Sequence, residues 1–250
     1  MTVRQRILIT GASSGLGRGM ALEFAARGRD LALCARRLDR LEALREDIAR
    51  RYPTVRVAIR ALDVTDYGRI GPVFREFDTE LGGIDRIIVN AGIGRGEPVG
   101  SGQFAENLAT VTTNFVAALA QCEAAIELFK SRRGGHLVTI SSVASVRGLP
   151  RAQTVYAATK AALTSLSEGI RADNWGSGIT VSTILPGYIH TEILSGSRQR
   201  PFIVDAETGC RSIVRAIERE RATAFVPGWP WAPIAFLMRH VPLGLLLRFL

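Results

Sequence analysis

Two residues near the middle of the chain, Tyr156 and Lys160, have the types and spacing of an acid–base pair. They lie in TVYAATKAALTSLSEGIRADNW, an Ala-rich run that reads as one long helix. Residues four apart share a helix face, so the phenol and the ammonium are neighbours. A free tyrosine ionises near pH ~10 and is almost wholly protonated at neutral pH. A lysine charge at ~4 Å, with an effective dielectric of ~20, attracts the phenolate by about 4 kcal/mol, the scale of a shift of about 3 units. A phenol tuned in this way exchanges a proton with an alcohol or a carbonyl near pH 7. Taken alone, the pair also reads as an exposed surface pair on a helix.

The N-terminus gives the pair a partner. Arg6-Ile-Leu-Ile-Thr10 is a short apolar run suited to a buried strand, and Gly11-Ala-Ser-Ser-Gly15-Leu-Gly17 leads from it into the helical pattern GRGMALEFAARG. Strand, Gly-rich turn and helix make the start of a βαβ dinucleotide unit. Glycines there let the backbone approach a pyrophosphate at the positive end of the helix. The spacing is G-x-x-x-G-x-G rather than the usual G-x-G-x-x-G.

Together, TGASSGLG at 10–17, NAG at 90–92, Asn114, Ser142, YAATK at 156–160 and PGYIHT at 186–191 resemble the short-chain dehydrogenase/reductase family, over about residues 5 to 228. The resemblance implies a catalytic set of Asn114, Ser142, Tyr156 and Lys160. Tyr156 would donate its proton to the substrate oxygen, Lys160 would lower the phenol pKa and hold the nicotinamide ribose, Ser142 would polarise the carbonyl, and Asn114 would anchor a proton-relaying water. The family's serine usually lies 13 residues before the tyrosine, whereas Ser142 lies 14 before Tyr156. An extra residue in VASVRGLPRAQT accounts for this, and Ser141 is the alternative.

The same resemblance implies a cofactor site of Gly11, Ser13, Ser14, Gly15, Leu16 and Gly17, then Asp63 and Val64 at the adenine, and Asn90, Ala91 and Gly92 beside the ribose. Tyr156 and Lys160 join it, with Pro186, Gly187, Ile189 and Thr191 under the nicotinamide. Where NAD-preferring relatives carry an acid after the second strand, this chain has Arg36 and Arg37, which suits the extra phosphate of NADP(H). Surface charge in an Arg-rich protein and an Asp63 that merely caps a helix are the plainer readings of these residues.

The elements that must position this set alternate. Apolar runs at 7–10, 30–35, 55–59, 85–89, 136–140, 179–184 and 224–226 alternate with helical patterns at 16–28, 38–51, 66–81, 105–131, 154–175 and 206–220. Alternation of this kind predicts an α/β fold, a Rossmann-type doubly wound parallel seven-stranded sheet with helices on both faces, in the order 3-2-1-4-5-6-7. One catalytic and dinucleotide-binding domain over 1–228 is expected, with 229–250 as an apolar extension. Surplus apolar residues on the helices at 105–131 and 154–175 (Phe115, Ala118, Leu119, Leu163, Leu166, Ile170) suggest pairing into a homodimer or homotetramer, as in relatives.

The net charge of +9 comes almost wholly from arginine, since Lys130 and Lys160 are the only lysines. Basic surface attracts anions such as NADPH, acyl-CoA phosphates or lipid headgroups, but no aromatic-interleaved basic stripe supports nucleic-acid binding. Cys34, Cys122 and Cys210 have no metal-ligand spacing and read as buried thiols in a reducing compartment. MTVRQRILIT enters the first strand directly and reads as no signal peptide, so a cytoplasmic enzyme is expected.

Substrate selection is expected at 93–100, 143–155 and 192–203, where few charges fix a polar ligand. A small-molecule carbonyl or alcohol of apolar character fits: a ketone, an aldehyde, a 3-oxoacyl thioester or a steroid. The tail WPWAPIAFLMRHVPLGLLLRFL lacks an uninterrupted apolar run of about 18 residues. It reads as a cover for the pocket or a subunit, or as a peripheral membrane contact. A catalytically silent NADP(H) sensor and a membrane scaffold are the alternatives to an enzyme; both leave the catalytic set unexplained.

Overall fold

Strand residues of this chain point alternately into two separate cores. Ile7 and Ile9 join Leu31 and Leu33 in one, while Leu8 joins Ala32 and Cys34 in the other. Period-two alternation between two apolar layers is what a sheet covered on both faces requires. The structure, a computed structural model, describes residues 3–190, 202–246 and 248.

The strands β1 (Arg6–Thr10), β2 (Asp30–Ala35), β3 (Val57–Ala61), β4 (Arg86–Val89), β5 (Gly135–Ile140), β6 (Ile179–Pro186) and β7 (Thr223–Val226) form one sheet in the order β3-β2-β1-β4-β5-β6-β7. Every pairing is parallel. Helices α1 (Gly15–Ala25), α2 (Leu38–Arg51) and α7 (Ala206–Glu218) seal one face. The other is covered by α3 (Tyr67–Leu81), α5 (Ala117–Ser131) and α6 (Thr154–Asp173), with α4 (Phe104–Val111) packed against α6. This is the expected Rossmann-type fold, with its strand order reversing between β1 and β4.

Three expectations shift. The third strand begins at Val57 rather than 55, where the Asp30 carboxylate accepts from the Arg56 N–H and guanidinium and fixes the entry to the sheet. The long helix expected over 105–131 is broken by a π-turn, Thr112–Val116, between α4 and α5. Ala118 and Leu163, read as surplus for an interface, are buried in the chain's own core, while Phe115, Leu119, Leu166 and Ile170 are half-buried.

The tail forms α8 (Gly228–His240), kinked at Trp229, and α9 (Leu243–Leu246). Trp231 and Ala235 are buried, and the Trp231 ring stands edge-on to Tyr188 at 5.1 Å and Phe202 at 6.4 Å. Arg147, just past the 3-10 turn Val143–Val146, donates to Met238 O at 2.7 Å and to Val241 O. A guanidinium on the last carbonyls of a helix satisfies orphan acceptors and opposes the negative dipole end.

Candidate active site

The C-terminal ends of β1 and β4 are tied together through Thr10. Its hydroxyl oxygen accepts from the N–H groups of Asn90 at 3.0 Å and Ala91 at 3.1 Å, and Asn90 Nδ2 donates to Thr10 O at 2.8 Å. Gly11, at φ +66°, crosses so close to β4 that a Cβ would lie 2.8 Å from Ala91 Cα; one on Gly17 would overlap Gly11 O. Only glycine allows this packing. The first turn of α1 carries no acid, and its N-cap, Ser14, makes no side-chain cap bond. An uncapped helix N-terminus beside bare glycines is an anion cradle.

Arg37 donates to Ser13 Oγ at 3.2 Å and Ser14 Oγ at 2.8 Å, which holds the loop. Arg36 extends from the end of β2 with 71% of its side chain exposed, 4.0 Å from Asp63. Burial works against ionisation of Asp63, but hydrogen bonds from the Thr65 N–H and hydroxyl, with the Arg36 charge, hold its carboxyl below the usual range. Asp63 is therefore tied to a turn ahead of α3, and the cap position itself belongs to Asp66.

On the far side, Tyr156 occupies the first turn of α6, with Lys160 Nζ 5.9 Å from its ring centroid. Lys160 donates to Ile140 O at 2.9 Å, and burial pushes its ammonium down to about 8. Asn114 sits in the π-turn, donating to Ile93 O and accepting from Ile93 N–H, both at 2.8 Å. A Cβ on Gly92 would lie 3.1 Å from Asn114 Oδ1 and 3.7 Å from Lys160 Nζ, so these two groups face each other across a bare glycine.

The two serines separate by their bonds. Ser141 is buried, with Oγ 2.9 Å from Lys160 O and 2.8 Å from Thr164 Oγ1, and so is committed to α6. Ser142 is half-buried and its Oγ accepts from Ala144 N–H at 3.1 Å, which leaves its O–H able to donate elsewhere. The chain between Ser142 and Tyr156 is taken up by two 3-10 turns, with Arg151 at φ +61°.

A cavity of about 250 Å³ collects most of the expected residues: Gly11, Ser13, Ser14, Gly15, Leu16, Gly17, Arg36, Arg37, Asp63, Val64, Asn90, Ala91, Gly92, Tyr156 and Lys160. Ser141 lines it, whereas Ser142, Asn114, Pro186, Gly187 and Ile189 do not. A Cβ on Gly187 would overlap the Trp231 indole, so this glycine makes room for the tail. Ile189 bridges Val204, with Tyr188 O and His190 N–H making the bonds, so its own N–H and C=O point to the other side. Thr191 lies outside the described residues, as do 192–201 of the expected substrate loop.

Gly94, from the 93–100 segment expected at the substrate, lines the cavity. Sequence reasoning missed other contributors: Thr113 and Ile140 line the cavity, and Thr110 and Asn107 bond the segment after Ile93. A helix signal was visible for the last pair, since 107, 110 and 114 fall on one face.

A parallel sheet with an anion cradle at its switch point, facing a phenol beside a buried ammonium, defines a nicotinamide-type oxidoreductase. The short chain dehydrogenase family profile matches residues 5–201, and the chain belongs to this family. An uncharacterized oxidoreductase of Mycobacterium tuberculosis is 52% identical over 246 residues, 98% of this chain and 97% of that protein. A short chain dehydrogenase from Burkholderia cenocepacia, solved in complex with NADP, superposes with a TM-score of 0.79 at 25% identity, over 90% of this chain and 96% of that one. A Burkholderia phymatum short chain dehydrogenase/reductase, solved with NAD, shares the fold at a TM-score of 0.83 and 20% identity, over 97% and 95% of the two chains.

Proposed function

We propose that this protein interconverts a ketone or aldehyde with the corresponding alcohol using NADP(H), on an apolar substrate such as a 3-oxoacyl, steroid-like or other lipid carbonyl. The observation that carries this reading is the buried Lys160 ammonium beside Tyr156, lining the same cavity as the glycine loop. The cradle suits a dinucleotide: Gly11, Gly15 and Gly17 with the open α1 terminus would hold the pyrophosphate, and Arg36 the additional phosphate. When bound, NADPH supplies the hydride for reduction, and NADP⁺ accepts it in the reverse direction.

The chain's own residues manage the proton. Tyr156 gives its hydroxyl proton to the carbonyl oxygen as that oxygen gains charge, and Lys160 stabilises the phenolate left behind. Ser142 donates a hydrogen bond to the same oxygen, preorganised for the charge that develops there. Asn114, facing Lys160 across Gly92, anchors the path by which a proton returns from solvent. Ile189, whose backbone N–H and C=O point away from Val204, would present them to a carboxamide.

Three buried free thiols fit a reducing, cytoplasmic setting. Half-buried Phe115, Leu119, Leu166 and Ile170, with exposed Leu108 and Val116, support assembly into a homodimer or homotetramer through the outer faces of α4, α5 and α6. The outward face of α8 and α9 supports a peripheral lipid contact.

The test is NADPH oxidation against a panel of ketones, run beside Tyr156→Phe. The variant is expected to bind NADPH within a few-fold of wild type and to turn over ~10²-fold more slowly. Wild-type turnover in that variant sinks the assignment.

A further inference from the structure

Between Gly92 and Pro98 the chain runs as a strap, Ile93-Gly-Arg-Gly-Glu97, outside any helix and paired with no strand among the described residues. A segment of this kind has backbone groups that must bond something. Its partners are side chains of one helix face. Asn114 bonds both the N–H and the C=O of Ile93, at 2.8 Å each. Thr110 Oγ1 donates to Arg95 O at 2.8 Å. Asn107 accepts from the Glu97 N–H at 3.0 Å and donates to Glu97 O at 3.1 Å.

The spacing explains the fit. Alternate residues of an extended chain lie about 6.6 Å apart, and positions three or four apart on a helix about 4.5–6 Å apart. A primary amide offers an N–H donor beside a C=O acceptor, the same pair that a neighbouring strand's peptide groups would present. Asn107, Thr110 and Asn114 thus serve 97, 95 and 93 in turn. The glycines between face other parts of the site: Gly94 lines the cavity, and a Cβ on Gly96 would overlap Ala152 O. The strap is therefore held between the cofactor cavity and the turn Arg151–Gln153 that leads into Tyr156.

We propose that Asn107 and Thr110 are positioning residues that, together with Asn114, lock the Ile93–Glu97 strap as a fixed wall of the substrate entrance and so set which carbonyl compounds the site admits. This inference rests on the carbonyl-reductase reading for its substrate, but the lock itself does not. Thr110 is fully buried and spends its hydroxyl on Arg95 O and, at 3.2 Å, Glu106 O. Asn107 is the outermost rung, where the strap turns toward solvent.

The experiment compares Asn107→Leu, Asn107→Asp and Thr110→Val with wild type by amide hydrogen exchange, by NADPH titration, and by kinetics on small and bulky ketones. Asn107→Leu is expected to speed Glu97 amide exchange ~3- to 10-fold, the scale of one lost hydrogen bond, with Ile93 unchanged. KM for bulky ketones should shift ~5-fold or more, with kcat and NADPH affinity within about twofold. Asn107→Asp keeps the acceptor for Glu97 N–H, so protection of that amide should return and the KM shift should shrink. Thr110→Val should shift KM in the same sense as Asn107→Leu. Unchanged Glu97 exchange in Asn107→Leu, or kcat falling equally for small and bulky ketones, overturns the proposal. A wild-type protein that reduced no ketone would overturn the reaction instead, while Glu97 exchange still reported on the lock.

Discussion

Lys160 meets two opposing demands. The role proposed for it needs a charge near the phenol, yet burial pushes its ammonium down to about 8. Below that pH the side chain is charged and the phenolate stabilised; above it the charge is lost. The rate of carbonyl reduction, as kcat/KM, is accordingly expected to fall as pH rises through about 8. Lys160→Arg, whose guanidinium keeps its charge beyond pH ~12, should move that limb upward even if turnover drops. A limb that stays near 8 in the variant would assign the titration elsewhere. Arg36 is the second test at this scale. Arg36→Ala should weaken NADPH by about 1.5 kcal/mol or more, and NADH much less, because only NADPH presents a phosphate to the guanidinium. Equal losses by fluorescence titration would return Arg36 to the solvent-exposed surface.

The elements opposite the site carry a charge network that no motif announced. Arg86, at the start of β4, is 1% exposed. It donates to His136 Nδ1 at 2.8 Å and pairs with Glu218 at 2.8 Å and Glu220 at 3.4 Å. His136 Nδ1 accepts there, so its Nε2 carries the proton and donates to Ser182 Oγ at 2.8 Å. Burial first, then the charges of Arg86 and Arg4, hold the imidazole well below 6.5. The unfolded chain takes up a proton near pH ~6.5 that the folded one refuses, so stability present above that pH is lost below it. Urea unfolding should show a slope of up to about 1.4 kcal/mol per pH unit below pH ~6, which His136→Gln should flatten. An unchanged slope in the variant would place the acid sensitivity in other groups.

Legibility follows the same division between elements. Strands and helices were readable because apolar period and glycine turns are local signals, and the strand order followed from alternation. The π-turn was not, because no local signal marks it and Asn114 within it bonds Ile93, a residue distant in sequence. Ala118 and Leu163 looked like surplus because a helix wheel cannot say how wide a face the sheet covers. Glycines read by spacing alone were ambiguous: Gly11 and Gly17 are bare where backbone packs against Ala91 and against Gly11 O, while Gly187 leaves room for Trp231.

At the scale of the whole molecule the tail has two unlike faces. Trp231 and Ala235 are buried, with the Trp231 ring against Gly187 and Tyr188 past the end of β6, and Arg147 fastens the end of α8 to the loop that follows Ser142. Trp229, Phe236 and Leu237 point outward at 80%, 64% and 58% exposure, with Leu243 and Leu245 beyond them. None of the described helices is long and apolar enough to cross a membrane. No acid follows Glu220 in the sequence, while Arg239 and Arg248 lie within the tail. A two-fold contact through this face would bring the arginines of one tail toward those of its copy, whereas an anionic bilayer would supply the opposite charge and an apolar layer at once. Replacing Phe236 and Leu237 by serine leaves the buried Trp231 in place. The doubly substituted protein is expected to bind NADPH normally, keep its oligomeric state by light scattering, and float ~10-fold less with phosphatidylglycerol vesicles. Wild-type binding should weaken with added salt and with phosphatidylcholine alone. Equal flotation of both proteins, or dissociation into smaller species on substitution, would make this face a subunit contact and remove the lipid from the account.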